Sequence, residues 1–443
     1  MSVRDAIPVP CELPSNWKFV TLREVTTKIG SGATPRGGES AYLPLRDKFA
    51  LIRSQNVFDH RFEIGGLAFI SDEQAADLAN AQVRSGDVLL NITGDGVTFA
   101  RACLVPDAIL PACVNQHVSI VRSNPSFVDP GYLAAYLAHP STKGYIESFN
   151  AGGSRRAITK GHIESFRLPL PPLTEQKQIG AILGVMDRKI DLNQGMNETL
   201  EAMTGAIFKS WFVDYDSVRT KANRFEDSIL GKIPCGWRVA ELDNIAEVID
   251  CLHSKKPVRQ QSGRPLIQLS NIRDDGLLDM TDTYFISEQD YELWISRMEA
   301  REGDCVITNV GRVAAVAQIP AGAKAALGRN MTGLRCRREY AYPTFLLQLL
   351  MSESMKEEIV LKIDSGTILE SLNVRSIPRL RFVLPPTNVA EEFERMCRPF
   401  RAKMEANLGE SRALTAIRDT LLQRLISGEL RVKQVERIVE AHV

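Results

Sequence analysis

The sequence predicts an α+β chain: two mixed α/β domains separated by two long helices that pair as an antiparallel coiled coil, in a pseudo-two-fold internal repeat. Two observations carry this. The first is that the chain repeats itself. Pro14-Ser15-Asn16-Trp17 opens one half and Pro234-Cys235-Gly236-Trp237 the other. Leu51 to Val57 matches Leu266 to Ile272, and Arg84-Ser85-Gly86-Asp87-Val88 matches Arg301-Glu302-Gly303-Asp304-Cys305. Gly153-Ser154 matches Gly366-Thr367, and Leu170-Pro171-Pro172 matches Leu384-Pro385-Pro386. The second observation is the spacing of the matches. It drifts between 213 (Gly153 to Gly366) and 220 (Trp17 to Trp237), then holds at 214 from the Pro-Pro pair (Pro171 to Pro385) to the end of the following helix. Drift marks loops, which tolerate insertion, and a constant spacing marks a segment whose periodic packing an insertion would break.

Within the first unit, Ala50 to Ile52, Val88 to Ile92, Val118 to Val121 and Phe166 to Leu170 are short apolar or alternating runs bounded by Gly, Pro, Asn or Asp, and predict strands. Leu266 to Leu269, Cys305 to Thr308, Leu334 to Cys336 and Phe382 to Leu384 take those places in the second. Two helical patterns recur: Ser71 to Ala79 with Ser287 to Trp294, and Pro130 to Ala138 with Tyr342 to Met351. Gly94-Asp95-Gly96 predicts a hairpin turn.

The Pro-Pro pairs cannot lie inside a helix and mark where each long helix starts. Thr174 and Asn388 occupy equivalent positions as N-caps, and Glu391 completes a capping-box pattern with Asn388. Positions alternately three and four apart give one seam of Leu183, Met186, Ile190, Asn193, Asn197, Leu200, Thr204, Ile207 and Trp211. The matching seam is Cys397, Phe400, Met404, Asn407, Ser411, Leu414, Arg418, Leu421 and Leu425. Both are apolar at the ends and polar in the middle, which is a coiled-coil seam with register-fixing asparagines. Two unrelated amphipathic helices, each packed on its own domain, are the plainer alternative. About 39 residues at ~1.5 Å each make a rod of roughly 58 Å.

A chain of 443 residues is too long for one ordinary core. With 44% hydrophobic and 24% charged residues it has the composition of a soluble globular protein. No apolar run approaches the ~18–20 residues of a membrane span. Met1 to Pro10 has no apolar signal core, which predicts a cytosolic, cytoplasmic protein. The eight cysteines are scattered singly, without a Cys-x-x-Cys pair, so neither a zinc site nor a disulfide framework is predicted. Nucleotide-binding Gly-x-x-x-x-Gly-Lys-Ser/Thr and metal-binding His-Glu-x-x-His motifs are missing, and no metal is expected. Asn124-Pro125-Ser126-Phe127 resembles the tetrapeptide with which amino-methyltransferases hold a flipped base, but lacks the second proline and an upstream Gly-rich cofactor loop. It is better read as a turn between a strand and a helix.

With 54 basic and 54 acidic residues the net charge is zero, so any nucleic-acid contact must come from local basic faces. Candidates cluster near glycines. Gly152-Gly153-Ser154-Arg155-Arg156 precedes Thr159-Lys160-Gly161-His162, and a glycine turn flanked by Ser and Arg can approach a phosphate closely. Its counterpart, Ser365-Gly366-Thr367, lacks the two arginines. Further candidates are Lys28, Arg36, Arg53 and Asn56 in the first unit. Lys255, Lys256, Arg259, Arg264, Asn271, Arg312, Arg329 and Asn330 are those of the second. Arg, Asn and Gln are the usual readers of base edges; taken one at a time, each is also an ordinary solvated surface residue.

The repeat, the Leu-Pro-Pro helix starts and the stretch Leu170 to Ile179 resemble the specificity subunit of type I restriction–modification enzymes. Pro14 to Trp17, Leu51 to Val57, Gly86-Asp87-Val88 and Leu421 to Leu430 fit the same family, and the resemblance covers nearly the whole chain. The second unit departs from it, with Asn388-Val389-Ala390-Glu391 where the first has Thr174-Glu175-Gln176-Lys177. The resemblance implies target recognition domains at residues 1–170 and, with a linker, 214–384. Conserved helices follow at 171–213 and, with a C-terminal tail, 385–443. Each domain would read one half of a split double-stranded DNA site, and the helices would set the spacing and bind two modification subunits. Those partners would carry S-adenosylmethionine and methylate adenine. Two ATP-driven restriction subunits, with Mg, would cleave. The chain itself would bind no cofactor and catalyse nothing. A methyltransferase or nuclease with its own centre would need motifs that are missing, whereas a protein–protein scaffold without DNA contact stays open at zero net charge.

Overall fold

A computed structural model of the chain describes residues 13–150, 156–216, 224–364 and 370–432. The chain divides into two compact units, Met1–Asp191 with Ala413–Val443, and Leu192–Arg412. No helix among the described residues is long and apolar enough to cross a membrane.

The first unit runs β1 (Lys18–Thr21), α1 (Leu22–Val25), β2 (Thr26–Ser31), β3 (Phe49–Ile52), β4 (Ala68–Ile70), α2 (Asp72–Asp77), β5 (Val88–Asn91), β6 (Thr93–Gly94), β7 (Ala102–Leu104), β8 (Ala112–Val114), β9 (Val118–Ser123), α3 (Pro130–Ala138), α4 (Pro140–Glu147), β10 (Arg156–Ala157), α5 (Lys160–Glu164) and β11 (Arg167–Leu170). An antiparallel sheet has the order β2-β9-β5-β7, and a smaller one the order β4-β3-β8, with β3 and β8 parallel. The larger sheet is covered on both faces, so its central strand reads as continuous apolar sequence rather than alternation. Val88 and Leu90 of β5 enter the core that holds α3, and Leu89 enters the core of the small sheet. Helix α3 has Pro130 at its first position and Asp129 as N-cap, and is buried from Tyr132 to Ala138. β1 pairs with β11, Lys18 opposite Leu170, which closes the globular part just before the long helix α6 (Leu173–Phe212).

The second unit repeats this plan. Its elements are β12 (Phe225–Ser228), β13 (Gly231–Pro234), β14 (Arg238–Glu241), β15 (Ala246–Asp250), β16 (Arg264–Ile267), β17 (Tyr284–Ile286), α7 (Glu288–Trp294), β18 (Ala300–Arg301), β19 (Cys305–Thr308), β20 (Val316–Gln318), β21 (Lys324–Leu327), β22 (Met331–Cys336), α8 (Pro343–Met351), α9 (Glu353–Val360), β23 (Ile363–Asp364), β24 (Ser371–Leu372), β25 (Arg381–Leu384) and α10 (Thr387–Ile426). The order β15-β22-β19-β20 answers β2-β9-β5-β7, and β17-β16-β21 answers β4-β3-β8 with β16 and β21 again parallel. Cys305 and Ile307 face one core and Val306 the other, as in β5. Even a left-handed alanine recurs: Ala100 (φ 61°) and Ala314 (φ 62°) follow the strands at the same place. Few non-glycine residues take that conformation, so its repetition marks a shared backbone path.

The two long helices run antiparallel within each unit. In the first, Glu175 holds Arg431 (2.7 Å) and Asp187 holds Arg418 (2.8 Å). In the second, Asn193 donates to Glu410 (2.8 Å), Asn197 to the Met404 carbonyl (3.0 Å) and Asn407 to Asn197 (2.8 Å), while Phe208 packs 5.7 Å from Phe393. No position of either seam is exposed. The buried stripe is wider than the seam, however: Phe208 and Phe212 on α6, and Ala390, Phe393 and Arg401 on α10, are buried beside it. These helices pack against both a partner helix and a globular part, so more than a two-helix seam is covered. Pro399 sits inside α10 on an exposed position, where the carbonyl it leaves unpaired meets water.

Several local expectations are corrected. The helix starts lie earlier than Thr174 and Asn388: the carbonyl of Pro172 accepts from the Gln176 N–H and that of Pro386 from the Ala390 N–H, so the second proline of each pair takes the N-cap place. Gly94-Asp95-Gly96 is not a hairpin turn, because β6 pairs with β10; Asp95 instead accepts from the N–H groups of Val97 and Thr98. The strand expected over Leu266 to Leu269 ends at Ile267 and gives way to a 3-10 turn, Leu269–Asn271. Asn124 to Phe127 does form a turn between β9 and α3, with the Phe127 N–H donating to the Asn124 carbonyl.

Candidate nucleic-acid interface

The repeated polar residues build the frame. Asp87 is fully buried and accepts from Arg122 at 2.7 Å; Asp304 and Arg335 make the same pair in the second unit at 2.6 Å. Asn56 accepts from the Arg53 N–H and donates to the Glu63 carbonyl, and Asn271 does so with Gln268 and Asp279. Both asparagines are buried and spent on backbone, which corrects their assignment as DNA contacts: they hold a turn.

The Glu175-Gln176 pair at the start of α6 likewise serves packing. Glu175 binds Trp17 and Arg431. Gln176, wholly buried, donates to the Pro171 and Phe127 carbonyls and accepts from the Asp129 N–H. The second unit has Val389 and Ala390 there and solves the same docking differently. Helix α8 has no side-chain cap of its own, and Glu394 of α10 reaches over to accept from the N–H groups of Thr344 (2.8 Å) and Phe345 (3.1 Å). Burial pushes the Glu394 carboxyl above its ordinary range, with those hydrogen bonds opposing. Glu394 stands 214 residues from Gly180, whose missing side chain lets α6 approach the capped start of α3 directly.

Of the remaining candidates in the first unit, Lys28 and Lys160 come together around an open depression of about 580 Å³, together with Gly30, Ser31 and Asn80. Lys28 donates to the Asn80 carbonyl, and burial, then the Arg122 charge, lowers its pKa. Arg36 is exposed on the loop after β2. Arg53 clamps the Gly66 carbonyl (2.7 Å) and Glu39 (3.2 Å). Arg156, in β10, pairs with Glu147 (2.6 Å) beside Gly96. Ser154, Arg155 and Thr367 lie outside the described residues.

In the second unit Lys256, Arg329 and Asn330 gather around a depression of about 350 Å³, with Gln268 and Trp294 in its wall. Lys256 also lies 4.1 Å over the Tyr284 ring. Lys255 is exposed nearby. Arg264 lies over Tyr291 (4.1 Å) between Glu288 and Glu299, Arg259 is held by Asp282, and Arg312 by the Ile272 carbonyl and Asp274. These three are engaged within the fold. Asp250, Cys251 and His253 bring their ligand atoms within 4.8 Å, but Asp250 is already paired with Arg297 (3.1 Å) and His253, and burial raises the Cys251 thiol.

Sequence reasoning overlooked one polar row in the first unit. Thr34 donates to Gln116, Gln116 donates to His117 (3.1 Å), and His117 bonds Thr93 (2.6 Å). Gln116 is exposed. The signal lay in the repeat: carried through β8 and β21, it sets Gln116-His117 against Arg329-Asn330.

Comparison with known proteins bears on the whole arrangement. Residues 14–202 match the family model of the type I restriction modification DNA specificity domain. The type I restriction enzyme MjaIX specificity subunit of Methanocaldococcus jannaschii is 24% identical over 442 residues, covering 96% of each chain. The HindI specificity subunit of Haemophilus influenzae is 22% identical over 478 residues, covering 94% of this chain and all of that one. The crystal structure of a type I restriction–modification S subunit from M. genitalium shares the fold, with a TM-score of 0.57 at 14% identity over 94% of this chain and 98% of that one. The repeated frame, the matched domain and the relatives aligned over nearly the whole chain agree, and all of them liken the chain to type I restriction–modification specificity subunits.

Proposed function

We propose that this chain supplies the DNA-sequence specificity of a type I restriction–modification complex and does no chemistry itself. Residues 1–170 and 214–384 act as target recognition domains, each for one half of a split site. Residues 171–213 and 385–443 fix the distance between the halves and bind two modification subunits. S-adenosylmethionine belongs to those partners, and ATP and Mg to two restriction subunits. The observation that carries this reading is the contrast between frame and surface. Both units share one sheet order and one buried Asp–Arg pair, yet expose different polar side chains at matched places. Two copies of one scaffold with different surfaces suit two different half-sites.

The test is to co-purify the chain with its modification partner and sequence the methylated DNA. A bipartite site with a fixed spacer is expected, and binding that weakens steeply with salt, because phosphate contacts release counterions. The rival, compatible with the zero net charge, is a protein scaffold without DNA contact. Association that ignores salt and selects no sequence would establish that rival.

A further inference from the structure

The turn that follows β8 in one unit and β21 in the other is anchored in the same way and carries different side chains, its last residue being left-handed only in the second, at Asn330 (φ 65°). In the first, the Asn115 N–H donates to the Ile52 carbonyl and the His117 carbonyl accepts from Ile92. In the second, the Gly328 N–H donates to the Ile267 carbonyl and the Asn330 carbonyl accepts from Asn309. Exposure follows suit: Asn115 and Gly328 are buried, Gln116 and Arg329 exposed, His117 and Asn330 half-buried. The turn is also rigid. Asn115 accepts from the His117 N–H at 3.0 Å, and a Cβ at Gly328 would stand 2.4 Å from the Ile267 carbonyl oxygen. Gln116 and Arg329 are both exposed, so the apolar core requires neither side chain.

We propose that this turn reads a base in each half-site, Gln116 reading adenine and Arg329 reading guanine, both from the major groove. The inference rests on the DNA-reading function proposed above and names residues that carry it. An amide has two lone pairs on oxygen and two N–H donors. Thr34 occupies one lone pair of Gln116 Oε1, and His117 takes one N–H of Nε2. One acceptor and one donor are left, and adenine offers the complement: its N6 amino group donates and its N7 accepts. Thr34 and His117 are thus positioning residues, which fix the amide before DNA arrives. Arg329 makes no hydrogen bond or ion pair among the described residues, so its whole fork is available for the O6 and N7 acceptors of guanine.

The experiment offers a library of randomised duplex DNA to the full chain in complex with its modification subunit, and reads the methylated sequences. Gln116→Ala should lower the preference for adenine at one position of one half-site by roughly ten- to a hundredfold and leave the other half unchanged. Gln116→Glu keeps the acceptor and loses the donor, so preference at that position should move to cytosine, whose N4 amino group donates. Misfolding cannot produce such a change of base. Arg329→Lys keeps the charge and loses the fork, and should relax guanine at one position of the other half. The inference is overturned if these variants keep every base preference, if they weaken methylation evenly over all sites, or if one variant alters both halves. A wild-type complex that selects no sequence would overturn the proposed function, and this inference with it.

Discussion

Among single residues, the repeat separates those that build the protein from those that face outward. Asn56 and Asn271 match across the units, and polar side chains of that type invite a reading as base contacts; the structure buries both in turns. Asp87 and Asp304 match for the same reason, each holding an arginine inside the fold. Residues kept in both copies are kept for packing, and so sequence comparison within the chain finds the frame. Gln116 and Arg329 do not match, which is why the sequence marks Arg329 by residue type alone and Gln116 only once strand pairing aligns the two. The two classes respond differently to truncation. Arg122→Ala leaves the Asp87 carboxylate buried without its partner and should cost about 3–5 kcal/mol, whereas Arg329→Ala should stay within about 0.5 kcal/mol. Chemical denaturation of the two variants checks this, and equal losses would refute the distinction.

At the scale of elements, the long helices were legible because their periodicity and constant spacing survive in the residues themselves. Their docking was not, because it depends on what each helix omits. Gly180 has no side chain, and a Cβ there would stand 2.7 Å from Asp129 Oδ1 and 3.0 Å from the Tyr132 nitrogen. Gly195, four turns along the same helix, would meet nothing within 4 Å. Alanine should thus act with opposite sign at the two sites. Gly180→Ala pushes α6 off the start of α3 and should destabilise by about 1–3 kcal/mol. Gly195→Ala relieves only the entropy of a helical glycine and should stabilise by about 0.5–1 kcal/mol. Melting temperatures that move the same way in both variants would contradict this account of docking. The second unit carries Glu394 at the place of Gly180, and no rule of periodicity exposes that exchange: a gap filled by close approach in one copy is filled by a carboxylate cap in the other.

In the whole molecule, two units of one plan are threaded differently. One is continuous from Leu192 to Arg412; the other needs residues from both sides of it. Leu422, Leu425, Ile426, Leu430 and Val432 lie in the same core as Tyr132, Tyr136 and Leu90. Burying five such side chains contributes roughly 7–15 kcal/mol, as much as the whole stability of an ordinary domain. A chain stopped after Arg412 should therefore keep the second unit and lose the first. Hydrogen exchange would show it, with amides of β5 and β9 unprotected and those of β19 and β22 protected. Protection retained in β5 and β9 would refute the assignment of that core. During synthesis, domains generally fold in the order in which they leave the ribosome. Here the strands of the first unit must wait for residues that follow Arg412, while the second unit closes ahead of them. A premature stop or frameshift just after Arg412 would thus disable the first unit and spare the second, and a nascent chain would finish its two units in reverse order.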